Sequence, residues 1–375
     1  MIHWKETADI ARRLSDQATG GRNAALATVV HISGSAYRRP GAKLLIEETG
    51  GVIGSVSGGC LEADVRAAAA DVLATGRPSL RHYDTGEEDG AWGLGLGCNG
   101  EVDILIQRAT QGPFAALAGP LRRLLAGDIP VALLTVIDDG PGMGALMAVE
   151  CPDGDDTSPS DSVFGSLGSA DLDREAAGRA RQLAPGGRSA VQTIRGRNVF
   201  VEILQPAPHL VVCGAGPDAR PLVAYATAAG FRVAVFDHRE GFLPSEWFPD
   251  ATRRVLARPD DESVVLPDAT QSLAVVKTHS LVHDREWVRR LLAAGCPYIG
   301  VLGPKGRTTS ILRDAGGDSW NAVPAAERVF GPVGLDLGAD GPEQVAISIV
   351  AELLAVVAKR DARHLSERHD AIHAS

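Results

Sequence analysis

Four segments of this chain recur, in the same order, further along it. Ala25–Val30 resembles Ala132–Ile137, and Gly41–Ile46 resembles Gly144–Val149. Val52–Glu62 resembles Val163–Asp173, and Glu101–Ile106 resembles Asn198–Ile203. Each set reads as two apolar strands, a glycine-rich turn into a helix, and a closing strand. The first 205 residues are therefore expected to fold as one duplicated α/β domain, with copies at about 24–106 and 131–204. The acidic, Pro- and Ser-rich stretch Cys151–Ser162 reads as a solvated loop inserted in the second copy. The copies diverge where chemistry would lie. Cys60 is matched by Asp171, and Gly97-Cys98-Asn99-Gly100 has no counterpart.

Residues 206–375 carry a different pattern. His209–Cys213, Phe231–Phe236, Leu273–Lys277 and Pro297–Leu302 are apolar strand runs with helical segments between them. Such alternation predicts a Rossmann-like, doubly wound parallel sheet with a site at the carboxyl ends of its strands. Gly214-Ala-Gly216-Pro-Asp-Ala219 is a G-x-G-x-x-A turn between a predicted strand and a predicted helix. Its glycines would let backbone N–H groups approach a pyrophosphate at the helix N-terminus. Asp237, at the end of the next strand, would hold a ribose diol, whereas Arg239 would meet a 2′-phosphate, so NAD and NADP both stay open.

Composition narrows the function. Among 375 residues, Lys+Arg 37 against Asp+Glu 47 gives a net charge of −10, which argues against a basic footprint for nucleic acid or anionic lipid. The N-terminus, MIHWKETADIARR, lacks the apolar core of a signal peptide. The longest apolar run, Ala346–Ala358, contains Glu352 and is too short to span a bilayer. Five scattered cysteines without CxxC spacing indicate neither a disulfide framework nor a zinc ribbon. The expectation is a cytoplasmic protein with no nucleic acid partner and no membrane span. The duplicated domain and the apolar final helix suggest a homodimer.

The candidate chemistry concentrates in the glycine turns. In Ser57-Gly58-Gly59-Cys60-Leu-Glu62, Cys60 falls near the start of a helix, whose N-terminus would favour a thiolate. Glu62 in the same turn could orient a ligand or transfer a proton. Cys98 lies in a second glycine-rich stretch, Gly93–Gly100, flexible enough to approach a ligand or Cys60. Ser33-Gly-Ser35-Ala-Tyr-Arg38 offers an anion grip. In the second half, Gly303-Pro-Lys305-Gly-Arg307 could bring positive charge to a phosphate, and His279 at a strand end is an acid–base candidate.

These motifs together resemble the XdhC/CoxI family. The resemblance rests on Gly34-Ser-Ala-Tyr-Arg38, Gly54-Ser-Val-Ser-Gly-Gly-Cys60-Leu-Glu62 and Gly95-Leu-Gly-Cys98-Asn-Gly. It continues through Gly214-Ala-Gly216, Thr278-His279, Gly300–Gly303, Pro332–Asp336 and the closing helix Glu343–Leu354. The chain differs in having Tyr37, Asn99 and Pro217 where the family often has Pro, Gly and His. The resemblance implies an accessory factor for molybdenum hydroxylases of the xanthine dehydrogenase or carbon monoxide dehydrogenase type. Such a factor binds molybdenum cofactor, supports its sulfuration with a cysteine desulfurase and passes it to the apoenzyme. Cys60 would then be the molybdenum ligand or sulfur-handling residue. The competing reading is an NAD(P)-dependent oxidoreductase of a small molecule, built on Gly214, Gly216, Ala219 and Asp237, with His279 or Lys305 as acid or anion anchor.

Overall fold

A computed structural model describes residues 2–17, 23–34, 36–84, 100–152, 163–316 and 326–369. Ser35, Cys98 and most of the acidic insertion (153–162) lie outside the described residues. The chain divides into two compact units, Met1–Pro206 and Ala207–Ser375.

In the first unit, α1 (Ile2–Gln17) precedes β1 (Ala24–Gly34), β2 (Lys43–Glu47), β3 (Val52–Gly54), α2 (Glu62–Thr75), β4 (Ser79–Asp84) and β5 (Gly100–Arg108). After α3 (Pro113–Leu124) the pattern recurs as β6 (Val131–Val136), β7 (Leu146–Glu150), β8 (Val163–Ser166), α4 (Ala170–Leu183), β9 (Ala190–Ile194) and β10 (Arg197–Leu204). Each copy is a five-stranded sheet, ordered β3-β2-β1-β5-β4 in one and β8-β7-β6-β10-β9 in the other. All neighbours within each sheet are antiparallel. The likeness extends to single backbone positions. Gly54 in β3 and Gly165 in β8 sit at φ of 88° and 82°, and a Cβ on either would overlap a backbone carbonyl, of Lys43 or of Leu146 respectively. Only glycine fits both the dihedral and the space.

Alternation along the strands decides which face each helix covers. Ala25, Ala27 and Val29 of β1 join Leu44, Ile104 and Ile106 against Val65, Ala69 and Val72 of α2. The second copy packs Leu134, Met147, Val199 and Val201 against Leu172, Ala176 and Ala180 of α4. Each fully buried Val or Leu contributes about 1.5–3 kcal/mol relative to exposure. On the opposite faces, Val30 and Leu105 meet Ile137 and Phe200, joining the two sheets. Between Val29 and His31 the register with β5 shifts by a bulge. A one-residue slip inverts the side-chain alternation. After the bulge Ile32, rather than His31, packs against the α2 core.

The second unit runs β11 (His209–Cys213), α5 (Ala219–Ala228), β12 (Arg232–Asp237), β13 (Arg253–Leu256), β14 (Ser272–Val276), α6 (Leu281–Ala293), β15 (Tyr298–Val301), α7 (Lys305–Gly316), β16 (Val329–Phe330) and α8 (Pro342–Ala358). Its sheet, ordered β13-β12-β11-β14-β15-β16, is parallel throughout. The chain leaves β11 for one side and returns at β14 on the other. A crevice is therefore expected outside the carboxyl ends of that strand pair. Among the described residues, no helix is long and apolar enough to cross a membrane.

Candidate functional site

The Cys60 turn connects β3 to α2. Its half-buried side chain packs at the edge of the α2 core, with Sγ 3.8 Å from the Ser57 carbonyl. It opens on a shallow cleft walled by Ile32, Tyr37, Arg38, Val56 and Val102. The bulge in β1 is what brings Ile32 to this wall, beside its strand partner Val102.

Glu62, the first residue of α2, organises the turn. One carboxylate oxygen accepts from the Ser55 hydroxyl at 2.8 Å and from the N–H groups of Val56, Ser57 and Gly58 at 3.3, 3.1 and 3.2 Å. The other accepts from the Ser57 hydroxyl and from Gly59 N–H at 2.8 Å. Partial burial alone would raise this carboxyl's pKa, but the hydroxyls of Ser57 and Ser55 and the backbone donors outweigh it and lower it to about 2. With both oxygens occupied by donors of its own turn, Glu62 holds the turn together. The second copy repeats the device without the cysteine, since Asp173 accepts from Leu167 N–H and the Ser166 hydroxyl, each at 2.7 Å. The N–H groups of Val56, Ser57, Gly58 and Gly59 are thus all turned to Glu62.

Arg38 lines the cleft but is not idle. Its guanidinium donates to both carboxylate oxygens of Glu6 on α1, at 2.7 and 3.0 Å. Burial pushes the Glu6 carboxyl up, and Arg38 pulls it down. An anion at this wall would have to compete with Glu6. Gly58 and Gly59 are in the Cys60 turn as expected.

The second unit gathers its candidates at the carboxyl edge of the parallel sheet. Gly214 and Gly216 form the turn after β11, and Ala219 opens α5, fully buried. Asp237, at the end of β12 and 3% exposed, accepts from Ala215 N–H at 2.7 Å. It also takes the Arg239 side chain through both oxygens at 2.8 and 2.9 Å. Burial opposes ionisation of Asp237, yet Arg239 and the Ala215 and Arg239 N–H groups hold its pKa below the usual range. Sequence set these two residues as alternative ribose and phosphate ligands. The structure binds them to each other, with the guanidinium 3.8 Å from the Phe242 ring centre.

His279, a non-glycine residue at φ 62°, places Nε2 3.0 Å from Asp218 Oδ2. Lys277 donates to the Asp218 carbonyl at 2.6 Å and lies 3.1 Å from its carboxylate. Burial depresses the Lys277 ammonium, and Asp218 restores part of the loss. An open cleft beside this pair is lined by Asp218, Lys277, Leu302 and Pro342. Asp218 and Lys277 were missed from sequence, although a lysine ending the apolar run Leu273–Val276 was the available signal. Arg307 is bound to the buried Asp284 at 2.6 and 3.1 Å, so it ties α7 to α6 rather than standing free for a phosphate as expected. Lys305, two residues after Gly303, is exposed at the start of α7. The described residues hold no group of three or more metal-ligating side chains.

The XdhC Rossmann domain family model matches residues 210–353, and the XdhC and CoxI family model matches residues 18–84. A probable xanthine dehydrogenase subunit of Bacillus subtilis is 32% identical over 335 residues, covering 88% of this chain and 92% of that protein. The molybdenum cofactor insertion chaperone PaoD of Escherichia coli is 32% identical over 99 residues, 26% of this chain and 30% of that one. A crystal structure from Bacillus halodurans, described as a xanthine dehydrogenase, matches with a TM-score of 0.74 at 29% identity, covering 94% of this chain and 97% of that one.

Proposed function

The chain belongs to the XdhC and CoxI family, and from that membership we propose that it binds molybdenum cofactor in the Cys60 cleft. It then supports the cofactor's sulfuration by a cysteine desulfurase and delivers it to a molybdenum hydroxylase of the xanthine dehydrogenase type. The observation that carries this reading is the contrast between two copies of one scaffold. Both keep the carboxylate-held turn, and only the first places a thiol in it, where the second has Asp171. A thiolate is a soft ligand suited to molybdenum or to handling sulfur. Arg38, once exchanged from Glu6, offers a bidentate grip for the phosphate of the cofactor. The likeness to a molybdenum cofactor insertion chaperone supports the same reading, over a short span.

The competing reading, an NAD(P)-dependent oxidoreductase, needs Asp237 for a ribose, and that carboxylate is already satisfied by Ala215 and Arg239. A ribose at Asp237 would have to displace Arg239.

Purified from a host that makes molybdenum cofactor, the protein should carry molybdenum and oxidised-pterin fluorescence in near-equal molar amounts. Cys60→Ala should lose both, and fail to activate an apo-hydroxylase, with an unchanged thermal unfolding midpoint. Retention of metal, pterin and client activation in that variant overturns the assignment.

A further inference from the structure

Tyr37 is 72% exposed, among the most exposed large hydrophobic side chains of the described residues, yet it lines the same cleft as Cys60. A single exposed tyrosine is ordinary on a protein surface. Three observations set this one apart. Its ring edge rests on the backbone of Gly58, where a Cβ would lie 2.8 Å from Tyr37 Cδ1 and 2.9 Å from Cε1. Gly58, at φ 85°, is thus kept small by the ring as well as by its own dihedral. Apart from Arg38 and Ser57, the rest of the wall, including Ile32, Val56 and Val102, is apolar, so a ligand entering beside the ring meets a surface suited to a flat, weakly hydrated body.

The third observation comes from the repeat. Between the matching positions Val30 and Gly41 the first copy spans residues 31–40, whereas between Ile137 and Gly144 the second spans only 138–143. The extra length holds Tyr37 and Arg38. Two departures from an otherwise shared scaffold, a longer loop and a cysteine, therefore converge on one cleft.

We infer that Tyr37, seated on Gly58, is the stacking surface for a planar heteroaromatic ring bound beside Cys60. This deepens the proposed function and rests on it, because the ring it assigns is the pterin of the cofactor. Tyrosine supplies a large rigid face at low cost in conformational entropy, and stacking on such a face tolerates variation at the ring's edge.

The test titrates the full chain with free pterin, whose own fluorescence reports binding, so neither molybdenum nor a client enzyme enters the readout. Tyr37→Phe should bind as wild type does. Tyr37→Ala should bind about tenfold more weakly. Tyr37→Leu, bulky but not flat, should resemble Tyr37→Ala. Unchanged affinity in Tyr37→Ala overturns the inference, as does a wild type that binds no pterin. Either result leaves the cofactor assignment to be decided by Cys60→Ala. Conversely, cofactor retained by Cys60→Ala with pterin affinity lost in Tyr37→Ala would keep the stacking surface and remove the thiol's role.

Discussion

Glu202→Leu is expected to cost about 3–5 kcal/mol of stability, and the Lys43→Met, Glu202→Leu double variant to recover most of it. Lys43 on β2 and Glu202 on β10 form an ion pair in the layer between the two sheets, with side chains 1% and 2% exposed. Lys43 also donates to the Gly41 carbonyl at 3.0 Å. Burial pushes the Glu202 carboxyl up, and Lys43 is the cation that counters it. The neighbouring His3, kept neutral at a pKa of about 3 by its burial and by Lys43 and Arg38, carries no negative charge for the ammonium that Glu202→Leu leaves behind. Removing one partner leaves a desolvated charge, whereas removing both leaves apolar surface where the matching residue of the second copy, Leu146, is already apolar. A double-mutant cycle from urea unfolding measures the coupling directly. A loss below about 1 kcal/mol in Glu202→Leu would mean that water reaches the pair.

The duplicated scaffold was legible because its signals are local. Apolar runs such as Ala25–Val30 and Leu133–Val136 are buried on both sides, and glycine-led segments follow them in the same order in both copies. The edge strands β4 and β9 were not legible. Ser79–Asp84 buries only Tyr83 and Ala190–Ile194 only Ile194, so neither shows the alternation that marks a strand. The same holds for β13, Arg253–Leu256, which buries no residue. At the site, Cys60 was legible from its Gly-Gly turn. The role of Glu62 was not, because it depends on six donors that meet its carboxylate only once the turn has closed. Asp237 and Arg239 were read as rivals because sequence gives their spacing and not the direction of the guanidinium. Lys277 and Asp218 are far apart along the chain and meet only because β11 and β14 are neighbours.

Glu62→Ala should destabilise the first unit by about 2–3 kcal/mol and open the Cys60 turn, since two hydroxyls and four backbone N–H groups lose one shared, charged acceptor. Water replaces the partners of the exposed Gly58 and Gly59, which keeps the cost below that of a fully buried network. Asp173→Ala in the second copy removes only the bonds to Leu167 and Ser166 and should cost about half as much. Glu62→Gln should fall between, because its amide nitrogen is a donor aimed at donors. The carboxyl titrates at about 2 in the folded chain against 4.5 when free. A depressed pKa of this kind adds stability that is fully present above pH 4.5 and is lost as pH falls through 2. The wild type should therefore lose stability on acidification over that window more steeply than Glu62→Ala. Alkylation of Cys60 reads the turn itself. It should be faster in Glu62→Ala than in wild type at neutral pH, and equal rates would mean that the carboxylate does not hold the cysteine in place.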